Sequence, residues 1–158
     1  MKGILKWPLI VAAAVVVLRV VVEQSGAPNS VSNIISVVAL HLVIVPLYFA
    51  IRIAKSGLTH PYVTQVKLVA LYVVLTRAMV LPTYWLARIY GWSQPRFAGL
   101  SGPDVSPLTG YIIVLFATAA VWIIASTVVG TVLGSIVIAV IGRSATKPAA
   151  AVDHEARS

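Results

Sequence analysis

Residues 111–141 read YIIVLFATAAVWIIASTVVGTVLGSIVIAVI, a run of 31 residues without a charged side chain. A helix needs about 20 mainly apolar residues to cross the hydrocarbon core of a bilayer, which is about 30 Å thick. Working outward from this run, three more apolar stretches reach spanning length, at residues 4–22, 34–53 and 66–87. These stretches together predict four membrane-spanning helices.

The composition of the whole chain agrees with a membrane protein. Of its 158 residues, 59% are apolar and 10% are charged, and the mean hydropathy is +0.97. Soluble domains average about 45–50% apolar and about 25% charged residues. The composition therefore excludes a soluble fold and predicts an all-α integral membrane four-helix bundle. The sequence also has no cysteine, which excludes disulfides and thiolate chemistry.

Proline and glycine mark the ends of the predicted helices. Proline favours the first helical turn, and glycine favours the position just past the last turn. We therefore predict helices over about 8–25, 28–56, 61–90 and 107–141. They form a bundle at residues 1–142, with an outer loop at 91–110. An Ala-rich tail at 143–158 should be disordered and cytoplasmic. Because Arg19 interrupts the first apolar run, we expect an uncleaved anchor rather than a signal peptide.

The distribution of basic residues predicts the orientation. The chain has twelve Lys and Arg residues and four acidic residues, for a net charge of +8. Because the basic residues lie in separate loops and tails, we expect no nucleic-acid partner. Cytoplasmic segments carry the excess of Lys and Arg. With both termini cytoplasmic, eight of these residues face inward and two face outward. A multi-pass protein of a prokaryotic inner membrane is therefore the expectation.

The main candidate functional residue is Arg77, which lies ten residues from each end of the span 67–87, about 15 Å from either surface. A charge at that depth costs about 2.5–3.5 kcal/mol on insertion scales, so its side chain should face the bundle interior. Arg19 and Glu23, spaced i and i+4, can pair on one helix face. With His41 and Tyr84 they complete a predicted intramembrane polar network that is short of negative charge.

Three interpretations of Arg77 follow. In the first, the arginine satisfies Glu23, His41, Tyr84 and nearby backbone carbonyls in a structural network. In the second, an acidic residue of another membrane subunit completes the site. In the third, an anionic solute or a lipid headgroup binds there.

Two prolines occur inside the predicted second and third helices. Pro46 and Pro82 each remove a backbone donor, so both positions are predicted kinks. They also belong to segments that repeat one another at a distance of 36 residues, with a proline, a tyrosine and an arginine at matching positions. Such a repeat is compatible with an inverted-repeat transporter. Recurrent Tyr and Arg anchors at the membrane interface are the favoured explanation.

Helix 4 carries small residues at every fourth position, namely Ser126, Gly130 and Gly134. This spacing lets two helix backbones approach closely. We expect this small-residue face to pack against helix 1, where alanines at 12–14 offer a matching surface. The alternative is a homodimer.

The sequence contains no catalytic or cofactor-binding pattern. The three histidines lack metal-ligand spacing, no glycine-rich loop could hold a phosphate, and no two carboxylates are close enough to act together. We therefore expect no metal and no cofactor, and an enzyme is the least favoured class. The first expectation is an accessory or assembly subunit of a larger membrane complex, surrounded by lipid and by other subunits or copies of itself. The alternative is a small oligomeric transporter or channel for an anionic or amphiphilic solute.

Overall fold

A computed structural model describes residues 3–97, 100 and 104–145 of the chain, with side chains described as far as residue 142. Its long helices are α1 (Lys6–Gln24), α2 (Asn29–Ala54), α3 (Pro61–Tyr90) and α4 (Thr109–Gly142). All four are long and apolar enough to span a membrane, and the described residues form no strand. The predicted all-helical fold with four membrane-length helices is confirmed. From residue 146 onward, the predicted tail lies outside the described residues.

Helix α2 is interrupted near its N-terminal end. Its first part is Asn29–Ile34, and the chain is extended at Ser36 before the helix resumes at Val37. The sequence predicts an uninterrupted helix over 28–56, and the structure differs because the Ser36 hydroxyl accepts a hydrogen bond from the amide of Val38 at 3.2 Å. A serine side chain that bonds nearby backbone in this way caps a new helix instead of continuing the old one.

A π-helical turn follows the break, over Leu40–Ile44, and α2 then continues as an α-helix over Val45–Ala54. The π-turn leads directly into Pro46, which cannot donate the hydrogen bond that an α-helix needs at that position. A π-turn is a common local change where the regular pattern of hydrogen bonds is interrupted. The break at Ser36, but not the π-turn, lines the cavity described below.

Helices α3 and α4 pack antiparallel in a regular register. Gly134 lies against the Gln65 side chain, and one turn further along, Gly130 lies against Val69 and Pro46. Two turns beyond that, Trp122 faces Arg77. The small-residue face therefore packs against α2 and α3 within the same chain, and not against α1 as the sequence suggested. Glycine is needed here because a Cβ at residue 130 would lie 2.7 Å from the Pro46 ring.

The connection between α3 and α4 is the predicted outer loop and is named here the outer connection. It packs onto the bundle through its aromatic residues. A short 3₁₀ helix, Pro95–Phe97, places the Phe97 ring edge-on to Tyr84, with centroids 5.1 Å apart. Phe97 and Leu100 are buried against Ala87 of α3. The described part of the predicted 91–110 loop thus covers the outer end of α3.

Helices α1 and α4 lie on different sides of the molecule. Both pack against α3, but they have few contacts with each other. This arrangement leaves a gap between them in the half of the bundle next to the 91–110 connection, and the candidate site lies in that gap.

Candidate functional site

A cavity of about 340 Å³ lies between α1, the break in α2, the middle of α3 and the outer half of α4. Its walls combine valine side chains with guanidinium groups. The basic residues at this site, named here the arginine cavity, are Arg19, Arg77 and Arg96. Each belongs to a different segment of the chain, so only the tertiary fold brings the three charges together.

Glu23 forms ion pairs with two of these arginines. Its Oε1 atom accepts a hydrogen bond from Arg19 Nε at 2.9 Å, and its Oε2 atom forms an ion pair with Arg96 Nη2 at 2.6 Å. The Glu23 side chain is only 2% exposed, whereas the two arginine side chains are 17% and 16% exposed. Arg19 also donates to the Ser36 hydroxyl at 3.2 Å, which ties α1 to the break in α2.

Arg96 lies outside the membrane-length helices, in the 3₁₀ helix of the outer connection. Its guanidinium carbon lies 4.2 Å from the centre of the Phe97 ring. Burial lowers the pKa of Arg96, and the nearby Glu23 carboxylate opposes that shift. An arginine nevertheless stays charged at any physiological pH, so this ion pair persists.

Arg77 has no carboxylate among the described residues. It is 9% exposed, and its Nε and Nη2 atoms are buried without a hydrogen-bond partner in the described part of the chain. Its contact is with the Trp122 ring, whose centre lies 5.1 Å from the guanidinium carbon. A cation over an aromatic face gains about 0.5–2 kcal/mol but leaves the N–H donors unused. Arg77 can therefore still bind an anion.

The predicted network is partly assembled. Tyr84 lines the cavity beside Arg77, but Glu23 is paired with Arg19 and Arg96 instead of with Arg77. His41 is fully buried, and its ring contacts the edge of Tyr72, with centroids 5.5 Å apart.

His41 accordingly lies deeper than the cavity. Tyr72 precedes Arg77 by five residues, about 7.5 Å along α3. The ring nitrogens of His41 have no hydrogen-bond partner in the described part of the chain. His41 therefore does not line the arginine cavity, although it lies close enough to Arg77 for an electrostatic interaction.

The two predicted prolines and the small-residue face lie elsewhere in the bundle. Pro46 is buried, and its carbonyl accepts a hydrogen bond from Gln65 Nε2 at 2.9 Å. Pro82 is exposed, and the α-helix runs through it without interruption, so the kink predicted there stays a prediction. The two prolines of the repeated segments thus have different environments. Ser126 is buried with Gly130 and Gly134 on the small-residue face.

Three residues of the site were missed from sequence: Ser36, Arg96 and Trp122. A signal for Arg96 was present, because Trp92 and Phe97 flank it and aromatic rings in a loop tend to pack on the protein. No comparable signal marks Trp122, since its approach to Arg77 depends on the register between α3 and α4. Among the described residues, no three metal-ligating side chains come together.

Four membrane-length helices define the chain as a multi-pass membrane protein. In comparisons with protein-family models, with curated proteins and with solved structures, nothing matches this chain. The functional argument therefore depends on the site itself.

Proposed function

We propose that this protein binds an anionic amphiphile in the arginine cavity and moves it through the membrane as a small transporter. The observation that carries this proposal is the state of Arg77: a buried guanidinium group faces the cavity, and the neighbouring carboxylate of Glu23 is already shared by Arg19 and Arg96. A buried charge without a partner is strongly unfavourable. A bound anion would remove that penalty.

The size and walls of the cavity support a small molecule as the anion. Its volume of about 340 Å³ lies within the range of about 300–1,000 Å³ for ligand sites. A single carboxylate from a partner helix would fill only part of that space. Val16, Val37 and Val80 add apolar wall beside the guanidinium groups. The site thus suits a molecule that has both a charge and a hydrocarbon group.

The gap between α1 and α4 supplies a route for such a molecule. Val16 and Arg19 of α1 and Thr118 and Trp122 of α4 line the cavity from opposite sides, and the two helices have few contacts with each other. Thr118 is exposed at this border. A lipid chain could remain in the bilayer while its headgroup enters the cavity.

The test is lipid movement in vesicles. The purified protein is reconstituted into phosphatidylcholine vesicles that carry a trace of fluorescent phosphatidylglycerol or fluorescent phosphatidylcholine. We expect the protein to accelerate movement of the anionic probe between leaflets, measured by quenching with dithionite, and to leave the zwitterionic probe at the rate of protein-free vesicles. Arg77→Gln should lower the rate for the anionic probe by about tenfold or more, because a hydrogen-bonded charge contributes about 1.5–3 kcal/mol.

The matched control is Arg52→Gln, since Arg52 is an exposed arginine near the inner end of α2. It should move the anionic probe at the wild-type rate. If the wild-type protein moves the anionic probe no faster than empty vesicles, the transport proposal is wrong. If Arg52→Gln and Arg77→Gln have equal effects, the arginine cavity is not the route.

A second candidate is an accessory or assembly subunit of a larger membrane complex. The open border between α1 and α4 favours it, because a partner helix seated there could bring a carboxylate to Arg77. Purification in mild detergent separates the two roles: a stoichiometric foreign subunit would support the accessory role. In both roles the protein is proposed to be non-catalytic, to lie in a prokaryotic inner membrane and to have both termini in the cytoplasm.

A further inference from the structure

We infer that the group bound in the arginine cavity is a dianionic phosphate, as in the headgroup of a phosphate monoester lipid. This inference depends on the anion-binding role proposed above and goes beyond it by fixing the charge and chemistry of the ligand. Three properties of the site lead to it: its net charge, the geometry of its donors and its apolar walls.

The net charge of the site is +2. Arg19, Arg77 and Arg96 contribute three positive charges, and Glu23 contributes one negative charge. Unbalanced charge is costly where water is scarce and the dielectric constant is low. A carboxylate or a phosphodiester would leave one positive charge over, whereas a phosphate monoester carries about −1.5 to −2 at neutral pH. The dianion is the better match.

The unused donors of the site suit phosphate. Nε and Nη2 of Arg77 are both free of hydrogen bonds to the described residues. A guanidinium group presents these donors in a planar fork that binds two oxygens of one phosphate or carboxylate. Tyr84 lines the cavity beside it. Because a phosphate monoester has three terminal oxygens, one more than a carboxylate, it can bind Arg77 and still offer an oxygen to Arg19 or Arg96.

The valines of the cavity indicate an apolar group beside the phosphate. Val16, Val37 and Val80 lie at the same cavity as the three arginines, and the border between α1 and α4 opens toward the region of the acyl chains. Free phosphate would leave these walls in contact with water. The same phosphate chemistry could come from a lipid or from inorganic phosphate, so the experiment separates the two sources.

The test is ligand-dependent thermal stability of the purified full-length protein in a non-ionic detergent. Three probes are used. Short-chain phosphatidic acid is a monoester, short-chain phosphatidylglycerol is a diester with a single charge, and the third probe is inorganic phosphate. A ligand that binds only the folded state raises the unfolding midpoint according to its affinity. At pH 7.5 we expect phosphatidic acid to bind about tenfold more tightly than phosphatidylglycerol, because one more charge-assisted contact is made.

The pH dependence supplies a second, independent readout. The second pKa of a phosphate monoester is about 6, so the dianion fraction falls about tenfold between pH 7.5 and pH 5. The monoanion that remains should bind like phosphatidylglycerol, so the advantage of phosphatidic acid should shrink about fivefold, from about tenfold to about twofold. The charged and titratable groups around the site are Arg19, Glu23, Arg77, Tyr84 and Arg96, together with His41 of α2, which does not line the cavity but lies close enough to interact electrostatically with Arg77. Phosphatidylglycerol measured at both pH values corrects for any change in the charge of the protein itself.

Two variants connect the binding to Arg77. Arg77→Gln removes the charge and should lower the affinity for phosphatidic acid by about tenfold to a hundredfold. Arg77→Lys keeps the charge but loses the planar fork, so it tests the geometry even if the Gln variant does not fold. The Lys variant should weaken the binding of phosphatidic acid severalfold, whereas the control Arg52→Lys should bind it like the wild type.

The outcomes are distinct. If phosphatidic acid binds tightly and inorganic phosphate does not, the dianion comes from a lipid headgroup. If inorganic phosphate binds as tightly, the dianion inference stands with free phosphate as the source. If phosphatidylglycerol and phosphatidic acid bind equally at both pH values, or if Arg77→Lys binds like the wild type, the dianion inference is wrong while an anion-binding role survives. If no anion binds, both proposals fail.

Discussion

At the scale of single residues, Glu23 organises the charges of the site. One nearly buried carboxylate binds Arg19 of its own helix and Arg96 of the outer connection, so it joins two segments that are distant in sequence. The i, i+4 spacing of Arg19 and Glu23 predicts the first contact, because residues four apart share a helix face. The second contact cannot be predicted in this way, since the position of Arg96 depends on how the whole connection folds back.

Replacing this carboxylate should destabilise the protein. Glu23→Gln keeps the side-chain shape but removes the negative charge, which leaves two largely buried guanidinium groups unbalanced. Breaking a buried ion pair by removing one partner costs about 3 kcal/mol or more. We expect a clear fall in the unfolding midpoint in detergent, measured by intrinsic tryptophan fluorescence. Asp104→Asn, the same chemical change at an exposed acid, is the control and should unfold like the wild type. Equal midpoints for Glu23→Gln and the wild type would contradict the structural role of Glu23.

At the scale of helices, the close contact between α2, α3 and α4 depends on glycine. At residue 130 a Cβ would lie 2.7 Å from the Pro46 ring and 3.2 Å from the His41 carbonyl, and both groups are stiff. Gly130→Ala should therefore destabilise the bundle by about 1–2 kcal/mol, although alanine favours a helix by about 1 kcal/mol over glycine. Thermal unfolding combined with light scattering measures stability and oligomeric state together.

The matched control is Gly142→Ala in the same helix. Nothing in the described part of the chain lies within 4 Å of a Cβ at residue 142, so this variant should be neutral or slightly more stable than the wild type. Equal losses of stability in the two variants would contradict the close contact at residue 130. If Gly130→Ala dissociates an oligomer into monomers that unfold like the wild type, the small-residue face binds a second copy instead of α2 and α3.

The sequence predicts the helices much better than it predicts their pairing. Apolar length and the terminal prolines give four helices, and the structure begins α3 at Pro61 and ends it at Tyr90, as the pattern indicates. The spacing of Gly130 and Gly134 predicts a close helix contact, but it contains no information about which helix is the partner. The break at Ser36 also escapes prediction, because a serine in an apolar run is compatible with either a helix or a cap.

At the scale of the whole molecule, the arginine cavity exists only because α1 and α4 stay apart. Helix α1 contributes Arg19, α3 contributes Arg77 and the outer connection contributes Arg96. A shortage of negative charge in this region follows from the sequence, since acids are so few. The cavity does not follow from it, because its shape depends on which helices remain without contact. The four helices set the chemistry available, and their packing decides where a ligand could fit.

The orientation of the molecule can be tested directly, because the chain has no cysteine of its own. Single cysteines are introduced by Thr59→Cys, between α2 and α3, and by Asp104→Cys, before α4; both positions are exposed. Since the basic residues favour cytoplasmic termini, Asp104→Cys should react with a membrane-impermeant maleimide added to intact cells. Thr59→Cys should react only after the cells are opened. The cysteine-free wild type measures background labelling. Reaction of Thr59→Cys in intact cells, with protection of Asp104→Cys, would show the opposite orientation. The half of the bundle that holds the arginine cavity would then face the cytoplasm.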